Sequence, residues 1–462
     1  MRLVVIGGGV SGLTAAWVAA RADPALEVLV LERGSVVGGK ARTFRDGDWR
    51  VECGPTGFLA PDENIERLLS ETGLDASVVS ADEAAAHRFV VRGGRVREVS
   101  PHPIKFLGSG ILGPLGAARA LAEPFVGRRK GDGDESVWHF ASRRVGRQAA
   151  DRLAAPMVLG VFAGDARRLS LAAAFPRLAE LETDHGSLVR GVLARGREVR
   201  AGARARTPPG KLTSLSEGMG ALCEALGEGP FELRRGRPVD VIQPCGGGYS
   251  VRVAGDDISA DAVVLACEAF AAGNLVEAFA PSLAGELSAI SYPPVSVVGL
   301  GFEGSAWAGV PHGFGVLVPR GEGLRTLGFL WESHIFPGRS PRQCHLLRAM
   351  VGGAVDPEAT SLSDEELVAL VRSEAQALLA IEEEPVFRHV HRWERAIPQY
   401  EVGHPGRVGR IEAELNRLPG LFMAGNSLRG IAFGKAVAAG ITAAEDGLEF
   451  LALHAGQGRA AQ

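Results

Sequence analysis

Arg2-Leu-Val-Val-Ile-Gly-Gly-Gly-Val-Ser-Gly12 opens the chain, and its reading decides the fold. Arg2–Ile6 is an apolar run of strand character that breaks into a glycine turn. Residues 13–22 continue as a helix, and a second strand, Glu27–Leu31, ends at Glu32, 20 positions after Gly12. Strand, glycine turn, helix, strand and acid in that order define a dinucleotide-binding unit. Within the turn Gly7-Gly8-Gly9-Val10-Ser11-Gly12, Gly7 allows the tight bend and Gly9 lets a pyrophosphate approach the backbone. Gly12 lets helix and strand pack closely. The helix start offers free N–H groups and the positive end of a dipole to phosphate. Glu32 can accept hydrogen bonds from both ribose hydroxyls and would repel a 2′-phosphate, so NADP does not fit.

Past the acid comes Arg33-Gly-Ser-Val-Val-Gly38-Gly39-Lys40-Ala-Arg42-Thr43. A glycine pair followed by basic residues and Thr resembles the second glycine motif of the amine-oxidase-like flavoproteins. There a backbone hairpin runs past the flavin phosphates; the group often has Arg where Val36 and Lys40 stand. Gly54-Pro55-Thr56-Gly57 makes a rigid loop with exposed donors, and in this group such a loop lies against the isoalloxazine ring. Near the C-terminus, 421–426 reads as a strand ending in the turn at Gly425. Ile431-Ala432-Phe433 then leads into a helix at about 435–451. A second glycine turn and helix start, about 400 residues after the first, completes a bipartite FAD site. Its dipole would lie near the flavin N1–C2=O edge. A middle return is expected at 214–226 and 239–269, with Val239 at the cofactor.

With these residues placed, the whole chain resembles the flavin-type protoporphyrinogen oxidase family, which includes the related coproporphyrinogen oxidases. The resemblance runs through His87-Arg88-Phe89-Val90, Gly160-Val-Phe-Ala-Gly164-Asp165 and Gly313-Phe-Gly-Val-Leu317-Val-Pro319. It continues through Met350-Val-Gly-Gly353 and Ala396-Ile-Pro-Gln-Tyr400. It implies an α/β fold: a Rossmann-like FAD-binding domain (1–80, 211–270 and 386–462) with two insertions. One is a mixed-sheet substrate domain (81–101 and 271–385), the other a helical membrane-associating domain (102–210). It also implies a six-electron oxidation of porphyrinogen to porphyrin through FAD and molecular oxygen, with hydrogen peroxide as co-product. Arg88 matches the position that pairs with a substrate propionate, and Gly160 the position whose carbonyl accepts a pyrrole N–H. Leu317, Ile335 and Met350 match apolar walls for the macrocycle. Some relatives carry Arg where Leu159 stands. No cluster of further basic residues is visible near Arg88, which favours protoporphyrinogen, with two propionates, over coproporphyrinogen, with four.

Composition narrows the alternatives. The 462 residues are 46% hydrophobic and 23% charged, with a net charge of -4, so neither disorder nor a general affinity for nucleic acid is expected. The five cysteines are scattered, which argues against a disulfide framework or metal knuckle and fits a reducing, cytoplasmic compartment. No run of about 18 apolar residues exists to cross a membrane. Residues 190–211 carry seven basic side chains and one acid. This stretch reads as a mobile basic loop that an anionic membrane, on the inner face of the cytoplasmic membrane, would attract. The resemblance also allows for a homodimer. Two other functions stay open. An amine oxidase usually presents a Lys to the flavin and an aromatic pair to the amine, yet no Lys occurs between Lys211 and Lys435 and only three tyrosines exist. A flavin-binding protein without turnover is the other. Ser363-Asp-Glu-Glu366 reads as a capping box opening a structural helix.

Overall fold

The computed structural model describes residues 1–129, 131, 133–200 and 210–460. Its centre is a five-stranded parallel sheet drawn from distant parts of the chain. The order is Glu232–Arg234, Glu27–Leu31, Arg2–Ile6, Ala262–Leu265 and Leu421–Met423. Ile6, Leu31, Leu265 and Met423 stand in register at the carboxyl edge, where an open α/β sheet takes its ligand. Nearly every residue of the three inner strands is buried, because helices cover both faces. Helix Val10–Ala22 packs on one face beside the C-terminal helix Phe433–Ala460. The two helices approach so closely that a Cβ on Gly440 would lie 2.3 Å from the Ser11 carbonyl. The C-terminal helix starts two residues earlier and runs nine further than the sequence reading.

A seven-stranded mixed sheet forms the second body. Its order is Phe387–Trp393, Val295–Glu303, Cys344–Gly352, Thr326–Trp331, Gly315–Leu317, Arg88–Arg92 and Arg95–Glu98. All pairs are antiparallel except Gly315–Leu317 with Arg88–Arg92. Phe387–Trp393 pairs along Val295–Glu303, so this sheet extends past the boundary expected at 385. Helices Ala269–Val276 and Pro281–Ser288 pack instead on the core of the parallel sheet. Sequence periodicity marks a strand but not the sheet it joins. Helix Asp364–Leu379 opens with the expected capping box, Ser363 and Glu366 satisfying each other's backbone N–H, and buries Leu367 and Val371.

The helical module spans the segments between Pro103–Gly108 and Leu188–Arg200. At its heart Arg144 and Glu123, both almost fully buried, form an ion pair. Ser187 and the Leu188 and Val189 N–H groups also donate to Glu123. The expected loop at 190–211 is corrected: Leu188–Arg200 is helix and Lys211 begins a strand, while 201–209 lie outside the described residues. Leu188, Val189, Val192 and Leu193 carried a helical period that the run of arginines masked. Pro176 separates helix Leu171–Ala174 from helix Pro176–His185. Among the described residues no helix is long and apolar enough to cross a membrane.

Candidate active site

The two glycine turns meet backbone to backbone. Gly38 N–H donates to the Gly8 carbonyl at 2.8 Å, and Gly9 bridges Gly38. Gly7 has φ +115°, and a Cβ there would strike the Ala266 carbonyl at 2.7 Å. A Cβ on Gly12 would lie 2.0 Å from the Gly7 carbonyl. Gly9 is different: the nearest atom to its Cβ would be 4.0 Å away, because it faces open space. That space is a cavity of about 660 Å³. Of the expected cofactor residues, Gly7, Gly9, Val10, Ser11, Glu32, Arg33, Gly38, Gly39, Lys40, Gly54, Pro55, Val239, Gly425, Ile431 and Phe433 line it.

The others stand behind the wall. Gly8 N–H donates to Glu32 Oε2 at 2.7 Å, and Gly34 N–H donates to Oε1 at 2.6 Å, so the acid is oriented by two backbone donors. Gly12 is a packing glycine. Thr56 Oγ1 accepts a hydrogen bond from Arg348. Gly57 packs on the Thr213 carbonyl, 2.3 Å from where its Cβ would be. Ala432 caps the last helix, its carbonyl accepting from Lys435 and Ala436. Lys40 lines the cavity, but its Nζ is 3.0 Å from Glu268 and 4.8 Å from the Trp393 ring centre. Burial pulls the Lys40 ammonium down against the pull of Glu268. Burial also lifts the Glu268 carboxyl, but Lys40 and Arg33 outweigh this and hold it below the usual range. Glu268, Trp393, Cys53 and Arg237 are cavity residues that motif reading missed. They come from four separate segments with no shared spacing.

The fit to FAD rests on this cavity. It joins a phosphate-facing helix start and glycine turn to an apolar end made by Val295, Val297, Met350, Trp393, Ala396 and Ile397. All three tyrosines are engaged in bracing the scaffold. Tyr292 Oη lies 2.8 Å from Ser427 Oγ, Tyr400 donates to the Asn426 carbonyl, and Tyr249 donates to the Pro419 carbonyl. The turn after Leu421–Met423 is thereby held against the cavity.

The seven-stranded sheet carries the apolar end onward. Directly paired residues share a face. His391, Val297, Met350, Gly328, Leu317 and Val90 form one cross-strand row. His389, Gly299, Arg348, Leu330, Gly315 and Arg88 form the next row on that face. Register therefore brings Arg88, Leu317 and Met350 to one surface. Gly160, in the last turn of helix Ala155–Phe162, packs on it, its Cβ position being 2.4 Å from Leu317 Cδ2. Leu159, where some relatives carry Arg, is buried with Met350 and Ala396. Val36 is half exposed. Ile335 is corrected: it is fully buried with Phe336, Ala81 and Ala85 and is not among the residues that line this cavity. Its chain neighbours read as sheet lining, but helix Glu332–Ile335 turns the side chain inward.

Arg88 is exposed, makes no ion pair among the described residues, and lies 5.3 Å from the Phe314 ring centre. Arg97 pairs opposite Val90 and so shares this face, also without an ion pair among the described residues. Arg97 is thus one further basic residue beside Arg88, where the sequence reading saw no cluster of them. The hairpin between them folds back residues that are nine apart in sequence.

Fold and cavity together define an FAD-dependent oxidoreductase. The flavin containing amine oxidoreductase family matches residues 10–447. Protoporphyrinogen oxidase of Bos taurus is 32% identical, over 96% of this chain and 97% of its own. Coproporphyrinogen III oxidase of Bacillus subtilis (strain 168) is 29% identical, over 97% and 98%. A crystal structure from Exiguobacterium sp. 255-15, provisionally assigned as a protoporphyrinogen oxidase, superposes with a TM-score of 0.85 at 25% identity, covering 97% of this chain and 99% of that one. The chain belongs to the flavin containing amine oxidoreductase family, and within it to the protoporphyrinogen oxidase group.

Proposed function

We propose that the protein oxidises protoporphyrinogen to protoporphyrin, removing six electrons and six hydrogens and passing them to three molecules of oxygen as hydrogen peroxide. The observation that carries this reading is the sheet face on which Met350 and Leu317 run from the cavity's apolar end towards Arg88. FAD, when bound, supplies a two-electron hydride acceptor. The chain's own part is positional. Gly9 and the start of helix Val10–Ala22 hold the pyrophosphate, and Glu32 orients the ribose. Met350 and Leu317 offer an apolar wall to the macrocycle. The last-turn carbonyls of helix Ala155–Phe162 lack partners inside the helix. Leu159 accepts from Ala163, and Phe162 from Gln399. Of the carbonyls left over, those of Gly160 and Val161, the resemblance assigns Gly160's to a pyrrole N–H. The Arg88 fork suits a propionate.

Arg88→Ala is expected to raise KM for protoporphyrinogen roughly tenfold, the scale of one lost charged hydrogen bond, while kcat changes little. Steady-state porphyrin fluorescence measures both. An unchanged KM removes Arg88 from the site, and a flavin-loaded protein that yields neither porphyrin nor peroxide above autoxidation removes the whole reading. A second reading, coproporphyrinogen as substrate, is favoured by the pairing of Arg97 beside Arg88 and by the full-length likeness to the Bacillus subtilis relative. Rates on the two porphyrinogens, compared side by side, decide between them.

The reading includes a peripheral membrane surface on the helical module. Leu115 and Phe125 are more than four-fifths exposed, and Val192 and Leu193 more than half. Arg190 and Arg197 lie on the same helix as the latter pair. Apolar tips beside basic groups suit an anionic interface. Phe125→Ser with Leu193→Ser is expected to cut co-sedimentation with anionic vesicles at least about threefold. Equal sedimentation would remove this surface from the membrane.

A further inference from the structure

The geometry points to a zinc-binding site formed by Cys53, His389 and His391. Cys53 follows the strand Trp49–Glu52, and the two histidines alternate along Phe387–Trp393, so strand geometry turns both imidazoles to one face. The thiol sulfur and one nitrogen of each ring all lie within 4.8 Å of one another. Cys53 Sγ and His389 Nε2 are 3.9 Å apart. A tetrahedral zinc with ordinary Zn–S and Zn–N bonds sets sulfur and nitrogen about 3.6 Å apart, so closure needs only a few tenths of an ångström at this pair.

A second observation concerns His391. Its Nε2 is shut off from water and has no hydrogen-bond partner, which is uncommon for a buried polar atom. The rings are also held in place. Phe44 stacks on His389 with centres 3.7 Å apart, and Trp393 packs edge-on to His391 at 4.3 Å. The Trp393 indole N–H donates to the Cys53 carbonyl at 2.6 Å.

One thiolate and two imidazoles select zinc over calcium or magnesium, which take oxygen ligands. Three protein ligands leave a fourth position for water. The surrounding charges set the affinity. Burial pushes the Cys53 thiol up to about 11, so the ion must displace its proton. Lys40 and Arg42 face His391 and oppose a divalent cation, although Lys40 is already paired with Glu268. Asp364 acts on His389 in the favourable sense. The porphyrinogen reading gives none of the three ligands a role in binding or oxidising the substrate, although Cys53 also lines the flavin cavity.

The test titrates zinc chloride alone into the FAD-loaded protein against a chromophoric chelator. Cobalt(II) is then used in place of zinc to reveal the thiolate-to-cobalt band in the near ultraviolet. One ion per chain is expected, with that band present. Losing an outer-shell partner of a metal typically costs about 10–100-fold in affinity, and losing a ligand costs at least that. Cys53→Ser should abolish the band and weaken zinc by this factor, and His391→Asn should weaken it comparably. Cys245→Ser, an exposed thiol elsewhere, should leave both unchanged. The flavin spectrum and urea midpoint of each variant verify folding, and His391→Asn keeps the test open if Cys53→Ser folds poorly. The proposal is overturned by the absence of stoichiometric uptake. It is also overturned by uptake that Cys53→Ser and His391→Asn leave as tight as in the parent.

Discussion

Arg348→Met is expected to lower stability by about 3–5 kcal/mol, the cost of breaking a buried ion pair from one side, and to yield protein largely stripped of flavin. Arg348 and Glu332 are almost entirely buried, with Nε 2.7 Å from Oε1. The Glu332 carboxylate has no further partner among the described residues, so only the guanidinium offsets its charge. The same guanidinium crosses from the seven-stranded sheet to the loop beneath the cavity. Its Nη1 donates to the Glu52 carbonyl at 2.6 Å and the Gly54 carbonyl at 3.0 Å, and Nη2 donates to Thr56. Gly54 and Pro55 line the cavity. One side chain thus does two separable things. Arg348→Met with Glu332→Leu removes both charges, and such apolar replacement of a buried pair is often neutral or better. The double variant should recover most of the urea midpoint but little of the flavin content. If it recovers both, Arg348 does not position the loop. Because a domain is stable by only about 5–15 kcal/mol, the single change will be visible in expression yield.

The second large effect separates two glycines of one turn. Gly9→Val is expected to fold normally and lose FAD affinity roughly 100-fold, near 2.7 kcal/mol. Its side chain would enter the cavity without meeting protein, since nothing but Gly39 Cα stands within 4 Å of a Cβ there. Gly12→Ala should do the opposite. Its Cβ would be 2.0 Å from the Gly7 carbonyl and 3.0 Å from Ala266 Cβ. Helix and strand must then part, at the roughly 1–3 kcal/mol typical of overpacking. Thermal unfolding of the apoprotein and flavin titration measure the two quantities separately. A Gly9→Val protein that keeps its flavin would place the pyrophosphate elsewhere.

The glycine turns were legible because each requires a backbone that only glycine permits. A residue needed for its lack of a side chain shows itself in one dimension. Ile335 was misplaced for the converse reason. An apolar residue reads the same whether it faces a ligand or a core, and a four-residue helix decided that it turns inward. Arg97 and the strand Phe387–Trp393 were missed because pairing register, which alone assigns a face and a sheet, does not exist until strands meet.

By itself the sequence determined the opening strand–turn–helix–strand unit, the two glycine turns and the acid at Glu32. These follow from local steric and hydrophobic rules that act within about 30 residues. Only the tertiary structure decided which residues share the cavity. It paired Lys40 with Glu268, sent Arg348 beneath the Gly54 loop, set Arg97 beside Arg88 and brought Cys53 to His389 and His391. Apart from the Arg88–Arg97 hairpin, those contacts join segments hundreds of residues apart, and packing and register create them.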